Sequence, residues 1–350
     1  MKPEIDSHKL MFHPERVAEW EKNGDCFPIY VEVGTTNRCN HQCTFCALDY
    51  LEKGGHEIET GMLLENLEDM AEHGIKSMMF AGEGEPLMHK NINWFVRHAN
   101  GLGIDVSITT NGSLLDKDKA DEILPYLTWL RFSINAGTPE TYSKVHKVSE
   151  REFNKVLDNL RYAVELKKIN GDIVNIGVQA LLIAPNINEA LHLAEIVKQI
   201  GADNIQLKPY SHHPKCNNDL SFDYNQTKEL GEAVKKLETE KFKVFYRSGT
   251  IKRLEEGATY TECHGLPFFA LIDARGNVIP CNLYYNSPEF TYGNLHEKKF
   301  SEIWTGEKRK EVLKKLREKG VEGCRAGCRL DTINKYLHRL KNPYPFDNFI

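Results

Sequence analysis

Short runs of alternating apolar and polar residues, rich in β-branched side chains, recur through the first two thirds of the chain. Each is followed by a longer stretch with apolar residues three and four apart. The period-two runs predict strands at 29–35, 77–81, 105–109, 129–134, 174–183 and 204–207. The helical period predicts helices over 60–73, 91–101, 117–126, 151–169 and 188–200. Strands that alternate with helices make βαβ units and a parallel sheet. Six of them predict an α/β fold, a partial (β/α)6 TIM-like barrel, with its chemistry at the carboxyl ends of the strands. A helix over 224–240 and a strand at 243–247 follow. After about residue 255 the pattern changes. Runs at 268–273 and 277–283, joined by Ala274-Arg275-Gly276, read as a hairpin, and a basic helix over 301–319 leads to Cys324-Arg325-Ala326-Gly327-Cys328. The expected organisation is an N-terminal extension (1–28), a barrel core (29–250), a small α+β cysteine-containing domain (256–335) and a tail (336–350) holding Pro343 and Pro345.

Composition narrows the class. The 350 residues are 27% charged and 41% hydrophobic, a balance that argues against bulk disorder. A net charge of −5 gives no reason to expect nucleic acid as a partner. No apolar run approaches the roughly 20 residues of a membrane span, and Met1-Lys2-Pro3-Glu4-Ile5-Asp6 has no apolar region of a secretory signal. The expected compartment is the cytoplasm, where clustered cysteines are metal ligands or redox groups more often than disulfides.

Nine cysteines are unevenly placed. Cys39, Cys43 and Cys46 fall in the polar loop Asn37-Arg38-Cys39-Asn40-His41-Gln42-Cys43-Thr44-Phe45-Cys46, directly after the first strand. A buried stripe on one helix face has the same spacing, but this loop offers no helix core to enter. Three soft thiolates suit an iron–sulfur cluster or zinc, and a three-ligand set leaves one metal position open, as catalytic sites do. Zinc completed by His41 or a distant cysteine is the alternative.

Cys-x3-Cys-x2-Cys after the first strand of a barrel resembles the radical S-adenosylmethionine (SAM) superfamily. The resemblance implies that Cys39, Cys43 and Cys46 hold a [4Fe–4S] cluster whose open iron chelates SAM, and that SAM is cleaved to a 5′-deoxyadenosyl radical. Further motifs follow in order: Phe45 before the last cysteine, Gly82-Glu83-Gly84-Glu85-Pro86 after the second strand, Thr110-Asn111-Gly112 after the third, and Ser133-Ile134-Asn135-Ala136 on the fourth. By resemblance, Phe45 packs near the adenine, the Gly84-Glu85 turn meets the SAM ammonium through Glu85, and Asn111, Ser133 and Asn135 lie near the ribose. Glu83 stands where the family commonly has glycine, and Asn135-Ala136 where it has Asp-Gly.

Cys263, Cys281, Cys324 and Cys328 make a four-thiolate set, enough to close a second site around a cluster or a structural zinc. Their spacing, with Gly276–Cys281 and Gly293-Asn294-Leu295 between them, is similar to the SPASM and Twitch auxiliary domains of radical SAM enzymes. Four cysteines imply the shorter form with one auxiliary [4Fe–4S] cluster, serving electron transfer or structure. Cys26 and Cys216 are left over.

The reaction this resemblance implies is hydrogen abstraction from a small polar hydroxylated substrate: a sugar, aminocyclitol or nucleotide sugar. One such reaction is the dehydrogenation of an alcohol assisted by the auxiliary cluster. A flavodoxin- or ferredoxin-like donor would supply electrons. Candidate substrate contacts at the strand ends are Gln179, Lys208, Tyr210, His212, His213 and Arg247; the sequence assigns no catalytic side chain. A peptide-modifying maturase is the second reading, and a non-enzymatic iron–sulfur or zinc electron carrier or scaffold the third.

Overall fold

The computed structural model describes residues 8–171, 174–220 and 222–349. Residues 1–7 of the expected extension, including the stretch read for a signal, and Ile350 of the expected tail lie outside these. The chain opens with α1 (Pro14–Asn23) and then alternates strand and helix: β1 (Tyr30–Val33), α2 (Thr60–Glu72), β2 (Ser77–Phe80), α3 (Ile92–Gly101), β3 (Asp105–Thr110), α4 (Lys117–Ile123) and β4 (Trp129–Ser133). Two helices, α5 (Pro139–His146) and α6 (Arg151–Asn170), precede β5 (Asn175–Leu182). Then come α7 (Ala190–Ile200), β6 (Asn204–Pro209), α8 (Lys228–Lys235), β7 (Lys243–Tyr246) and α9 (Ser248–Glu256). Strands β1 to β7 pair in parallel in chain order, as the alternation predicts.

The C-terminal part holds β8 (Phe269–Ile272), β9 (Asn277–Ile279), β10 (Gly293–Asn294), α10 (Phe300–Thr305), α11 (Glu307–Lys319) and α12 (Asp331–Lys341). The hairpin is there, β8 pairing antiparallel with β9. Its first strand also pairs in parallel with β1, Tyr30 opposite Phe269, so one ten-stranded sheet runs through the chain. The basic helix over 301–319 is two helices, because Gly306 takes an extended conformation (ψ 156°) between α10 and α11. The helix over 224–240 is shorter than its period suggests, with a 3-10 turn at Tyr224–Thr227 before α8. Helix α12 crosses position 335 without a break. Among the described residues no helix is long and apolar enough to cross a membrane.

Strand parity explains the two faces. Val31, Val33, Met78, Phe80, Val106, Ile108, Leu130, Phe132, Ile176, Val178, Ile205 and Leu207 are sealed under the helices. The other, concave face carries Tyr30, Glu32, Thr109, Arg131, Ser133, Gln179 and Lys208, in antiphase with them. Helix starts are fixed by side-chain caps: Glu59 accepts from Gly61 and Met62 at α2, Asp116 from Lys119 at α4, and Thr138 from Thr141 at α5.

A bidentate pair closes the C-terminal part onto the N-terminal segment. The Arg309 guanidinium, fully buried 3.8 Å over the Trp304 ring, donates to both oxygens of Asp25 at 2.6 and 2.8 Å. Asp25→Ala strands that cation, and the expected loss is about 1.5–3 kcal/mol, read as a lower urea midpoint.

Candidate active site

The loop between β1 and α2 is closed at its base. Thr36 bridges Glu57, Ile58 N–H donates to the Thr35 carbonyl at 2.9 Å, and Asn37 bonds the backbone of both Glu52 and His56. The loop then leans on the end of α5: Gln42 N–H donates to the His146 carbonyl (3.2 Å) and Thr44 N–H to the Val145 carbonyl (2.8 Å). Cys39, Cys43 and Cys46 are half-buried in it. Burial pushes the Cys39 and Cys43 thiols up, and the charges of the three cysteines act on one another. Such thiols stay protonated until a metal centre takes their protons' place. Three soft sulfur donors on one short loop suit a thiophilic cluster.

His146 stands against one of these sulfurs. The backbone N–H of Asn135 points at Nε2 (3.3 Å), so Nε2 accepts and Nδ1 carries the proton. Nδ1 lies 3.2 Å from Cys43 Sγ and donates to it. The ligand atoms of His41, Cys43 and His146 lie within 4.8 Å of one another, as a mononuclear zinc site requires. In this tautomer, however, His146 has no lone pair to give an ion at Nδ1. Its ring is held by Tyr142 (stacked, 4.1 Å) and by Phe45 (edge-on, 5.2 Å). Lys53 Nζ stands 3.8 Å from Cys46 Sγ and 3.3 Å from the Glu83 carbonyl.

Turns from the next two strands meet this loop, and the end of β4 reaches it through His146. A Cβ at Gly84 would stand 2.3 Å from the carbonyl oxygens of both Thr36 and Arg38, so only glycine lets the β2 turn touch the cysteine loop. Glu85 N–H donates to the Arg38 carbonyl at 2.8 Å. The Glu85 carboxylate is buried and accepts from Thr110 Oγ1 (2.6 Å), Asn111 N–H (2.8 Å) and Leu87 N–H (3.1 Å). Desolvation raises its pKa against those hydrogen bonds. Glu85 thus ties the β2 turn to the β3 turn. Glu83, also buried and raised by desolvation, accepts from Ala274 N–H (2.7 Å) just past β8. Asn111 Nδ2 donates to Asn40 Oδ1 (2.8 Å), and both asparagines bond Ser113. Ser133 is half-buried at the end of β4. Asn135 is buried, and its Oδ1 accepts from Leu181 N–H at 2.7 Å while its carbonyl accepts from Asn186.

The C-terminal cysteines lie near enough to act on one another's charge. Cys263 precedes β8, Cys281 follows β9, and Cys324 and Cys328 lie between α11 and α12. Burial pushes Cys263 up to about 12 and Cys281 further, each with the charges of its neighbours adding to the rise. Two N–H groups face the sulfurs: Asn334 Nδ2 to Cys263 and Leu330 N to Cys328, both at 3.4 Å. Four thiols without a histidine or carboxylate among them fit a closed, sulfur-bound centre.

The predicted substrate contacts separate in the structure. Gln179 and Lys208 lie half-buried on the concave face, and Arg247, half-buried, begins just past β7, its N–H on the Leu207 carbonyl. Tyr210 is buried, and its hydroxyl donates to Asn218 (2.5 Å) in the loop after β6. That loop reaches the first cysteine set through Asn218 Nδ2 on the Cys46 carbonyl. His212 is exposed. His213 is buried, stacks on Tyr50 at 5.3 Å and bonds the Asn282 carbonyl beside Cys281. Sequence reasoning missed His146, Asn40, Lys53, Arg131, Arg325, Arg329 and Asn334. Asn40, Arg325 and Arg329 carried a signal, their position beside Cys39, Cys324 and Cys328.

Comparisons with known proteins agree with this geometry. The radical SAM superfamily model matches residues 33–194, and the SPASM iron–sulfur cluster-binding domain model matches residues 263–329. A probable GTP 3′,8-cyclase of Saccharolobus solfataricus is 27% identical over 214 residues, 60% of this chain and 66% of that protein. A GTP 3′,8-cyclase of Campylobacter fetus is 29% identical over 272 residues, 73% of this chain and 80% of that protein. The structure of Streptococcus suis SuiB bound to S-adenosylmethionine superposes with a TM-score of 0.68 at 17% identity, covering 87% of this chain and 72% of that one. The last likeness is one of fold.

Proposed function

This chain belongs to the radical SAM superfamily and carries a C-terminal SPASM iron–sulfur domain, and we propose that it abstracts hydrogen from a small polar hydroxylated substrate on the concave face of its sheet. In this reading Cys39, Cys43 and Cys46 hold the SAM-binding [4Fe–4S] cluster, and Cys263, Cys281, Cys324 and Cys328 hold an auxiliary one. When bound, the first cluster and SAM supply a 5′-deoxyadenosyl radical that takes a hydrogen atom from substrate. Phe45, Gly84, Glu85, Asn111, Ser133 and Asn135 line the SAM position. The observation that carries the reading is the assembly of two strand-end turns and the end of α5 on the cysteine loop: Gly84 against Thr36 and Arg38, Asn111 on Asn40, and His146 on Cys43.

The chain's own groups have separable tasks. Glu85 fixes the β2 and β3 turns relative to each other, Asn135 fixes the end of β4 to β5 and to His146, and the concave face orients substrate hydroxyls through Gln179 and Lys208. A net oxidation of a carbinol carbon suits an auxiliary site closed by four thiolates, which leaves no position for substrate. Reducing electrons come from a flavodoxin- or ferredoxin-like donor in the cytoplasm. Anaerobic reconstitution with iron and sulfide, followed by SAM and dithionite, is expected to yield 5′-deoxyadenosine. A colourless protein, or one that holds only zinc, overturns the reading. Substrate class is read by mass spectrometry of sugar, nucleotide-sugar and peptide pools incubated with the enzyme.

His146 gives a second check. An N–H donor on a cluster sulfur stabilises the reduced state and raises the potential. His146→Phe keeps the ring among Tyr142 and Phe45 but removes the donor to Cys43. The expected result is a more negative midpoint for the SAM-binding cluster in a dithionite titration followed by electron paramagnetic resonance.

A further inference from the structure

Positive charge gathers on the concave face from distant parts of the chain. Arg131 stands on β4 and Lys208 on β6, both half-buried and both alternating with residues sealed under the helices. The strand between them places Gly177 opposite Arg131 and Leu181 opposite Lys208. Arg247 joins them from the end of β7. The loop between Cys324 and Cys328 descends from the other side. Arg325 donates through Nε and Nη2 to the Ser211 carbonyl at 2.9 and 2.7 Å, and Gly327 N–H donates to Ser211 Oγ at 2.8 Å. A Cβ on Gly327 would lie 3.8 Å from Lys208 Cε, so this loop rests directly on Lys208. Arg329 reaches β1, where it pairs with Glu32 and donates to Tyr30 Oη at 3.0 Å.

The charges do not balance. Glu32 answers Arg329, yet among the described residues neither Lys208 nor Arg131 has a hydrogen-bond or ion-pair partner. Arg131 only lies over the Trp129 ring at 4.5 Å. Burial, then the charges of Arg325, Arg247, Arg329 and Arg131, lower the Lys208 pKa to about 7. Lys208 and Arg131, left without a counter-charge, are stabilised by an anion. Guanidinium forks match the oxygens of phosphate, and an ammonium adds a point charge. Arg131 and Lys208 lie on alternate strands of one face and Arg325 enters from the opposite side, so the candidate ligand is an anion that several cations can share.

We propose that the substrate of this enzyme carries a phosphate group, held between Arg131, Lys208 and the outer edge of Arg325. The inference rests on reading the concave face as the substrate site. Glu32 faces the same space but is held by Arg329.

The test is calorimetry of inorganic pyrophosphate binding to the full-length protein, reconstituted anaerobically and supplied with SAM. Saturable binding that weakens with salt is expected. Lys208→Gln and Arg131→Gln each weaken binding about tenfold or more. Lys314→Gln, on the exposed side of α11, leaves binding unchanged. Binding is measured on the wild-type protein, so the proposal stays open to refutation even if a variant fails to fold. Pyrophosphate binding no tighter than that of a neutral sugar or of pentaglutamate overturns it. If the wild-type protein forms 5′-deoxyadenosine but does not bind pyrophosphate, the anion site falls alone. If it binds pyrophosphate but forms no 5′-deoxyadenosine, the radical reading falls alone.

Discussion

Cys43→Ala folds and no longer cleaves SAM. Cys43 is half-buried in a loop whose base is fixed by Thr35, Thr36, Asn37 and Ile58, none of which touches its side chain. The fold therefore survives, and the circular dichroism of the variant matches that of wild type. Loss of a residue that merely orients a metal ligand commonly reduces metal affinity or activity 10- to 100-fold, so loss of the ligand itself is expected to lower 5′-deoxyadenosine formation more than about 100-fold. Iron content after reconstitution falls by about four atoms per chain, the complement of one [4Fe–4S] cluster. Cys281→Ala removes iron from the other site and spares the first. Together the two variants assign the iron site by site. If Cys43→Ala keeps wild-type 5′-deoxyadenosine formation, the three-cysteine loop is not where SAM is cleaved.

The parallel core was legible because its information is local. Strands β1 to β6 carry sealed apolar residues at every second position, from Val31 and Val33 to Ile205 and Leu207, and Gly or Pro turns mark their ends. The cysteines and the Gly84, Asn111 and Asn135 turns were legible for the same reason, since each lies within a few residues of a strand end. What the sequence hid is long-range. His146 meets Cys43 across 103 positions, on the helix α5, which is not among the elements expected from the sequence. The role of Glu85 was hidden too: as a motif residue it reads as a partner for a ligand, while in the fold three donors from two turns occupy its carboxylate. The pairing of β8 with β1 uses the bare edge of a strand more than 230 residues earlier, which no local period encodes. The cations at 131, 208, 247, 325 and 329 look like scattered surface charge until strand parity and the returning C-terminal loop bring them to one face.

Gly84→Ala is expected to be the most damaging single-methyl addition in the chain. Its φ is ordinary, so backbone conformation does not demand glycine there; space does. The added Cβ would stand 2.3 Å from two carbonyl oxygens, those of Thr36 and Arg38, and 3.0 Å from Arg38 N. All three are backbone atoms, so no side-chain rotation relieves the collision. The turn must move away from the loop, which breaks the 2.8 Å hydrogen bond from Glu85 N–H to the Arg38 carbonyl and shifts the residue before Cys39. The expected cost is about 3 kcal/mol or more in urea unfolding, with the m-value unchanged. The turn that moves also carries Glu85, so SAM affinity falls in parallel, measured by equilibrium dialysis at a temperature where the variant is still folded. Gly101→Ala is the control. Gly101 ends α3 with nothing within 4 Å of an added Cβ and without a positive φ, and the same methyl there is expected to stabilise by about 0.4–1 kcal/mol through a stiffer unfolded chain. If both variants unfold at the wild-type midpoint, the β2 turn does not press on the cysteine loop, and the SAM position assigned to Gly84 and Glu85 loses its support.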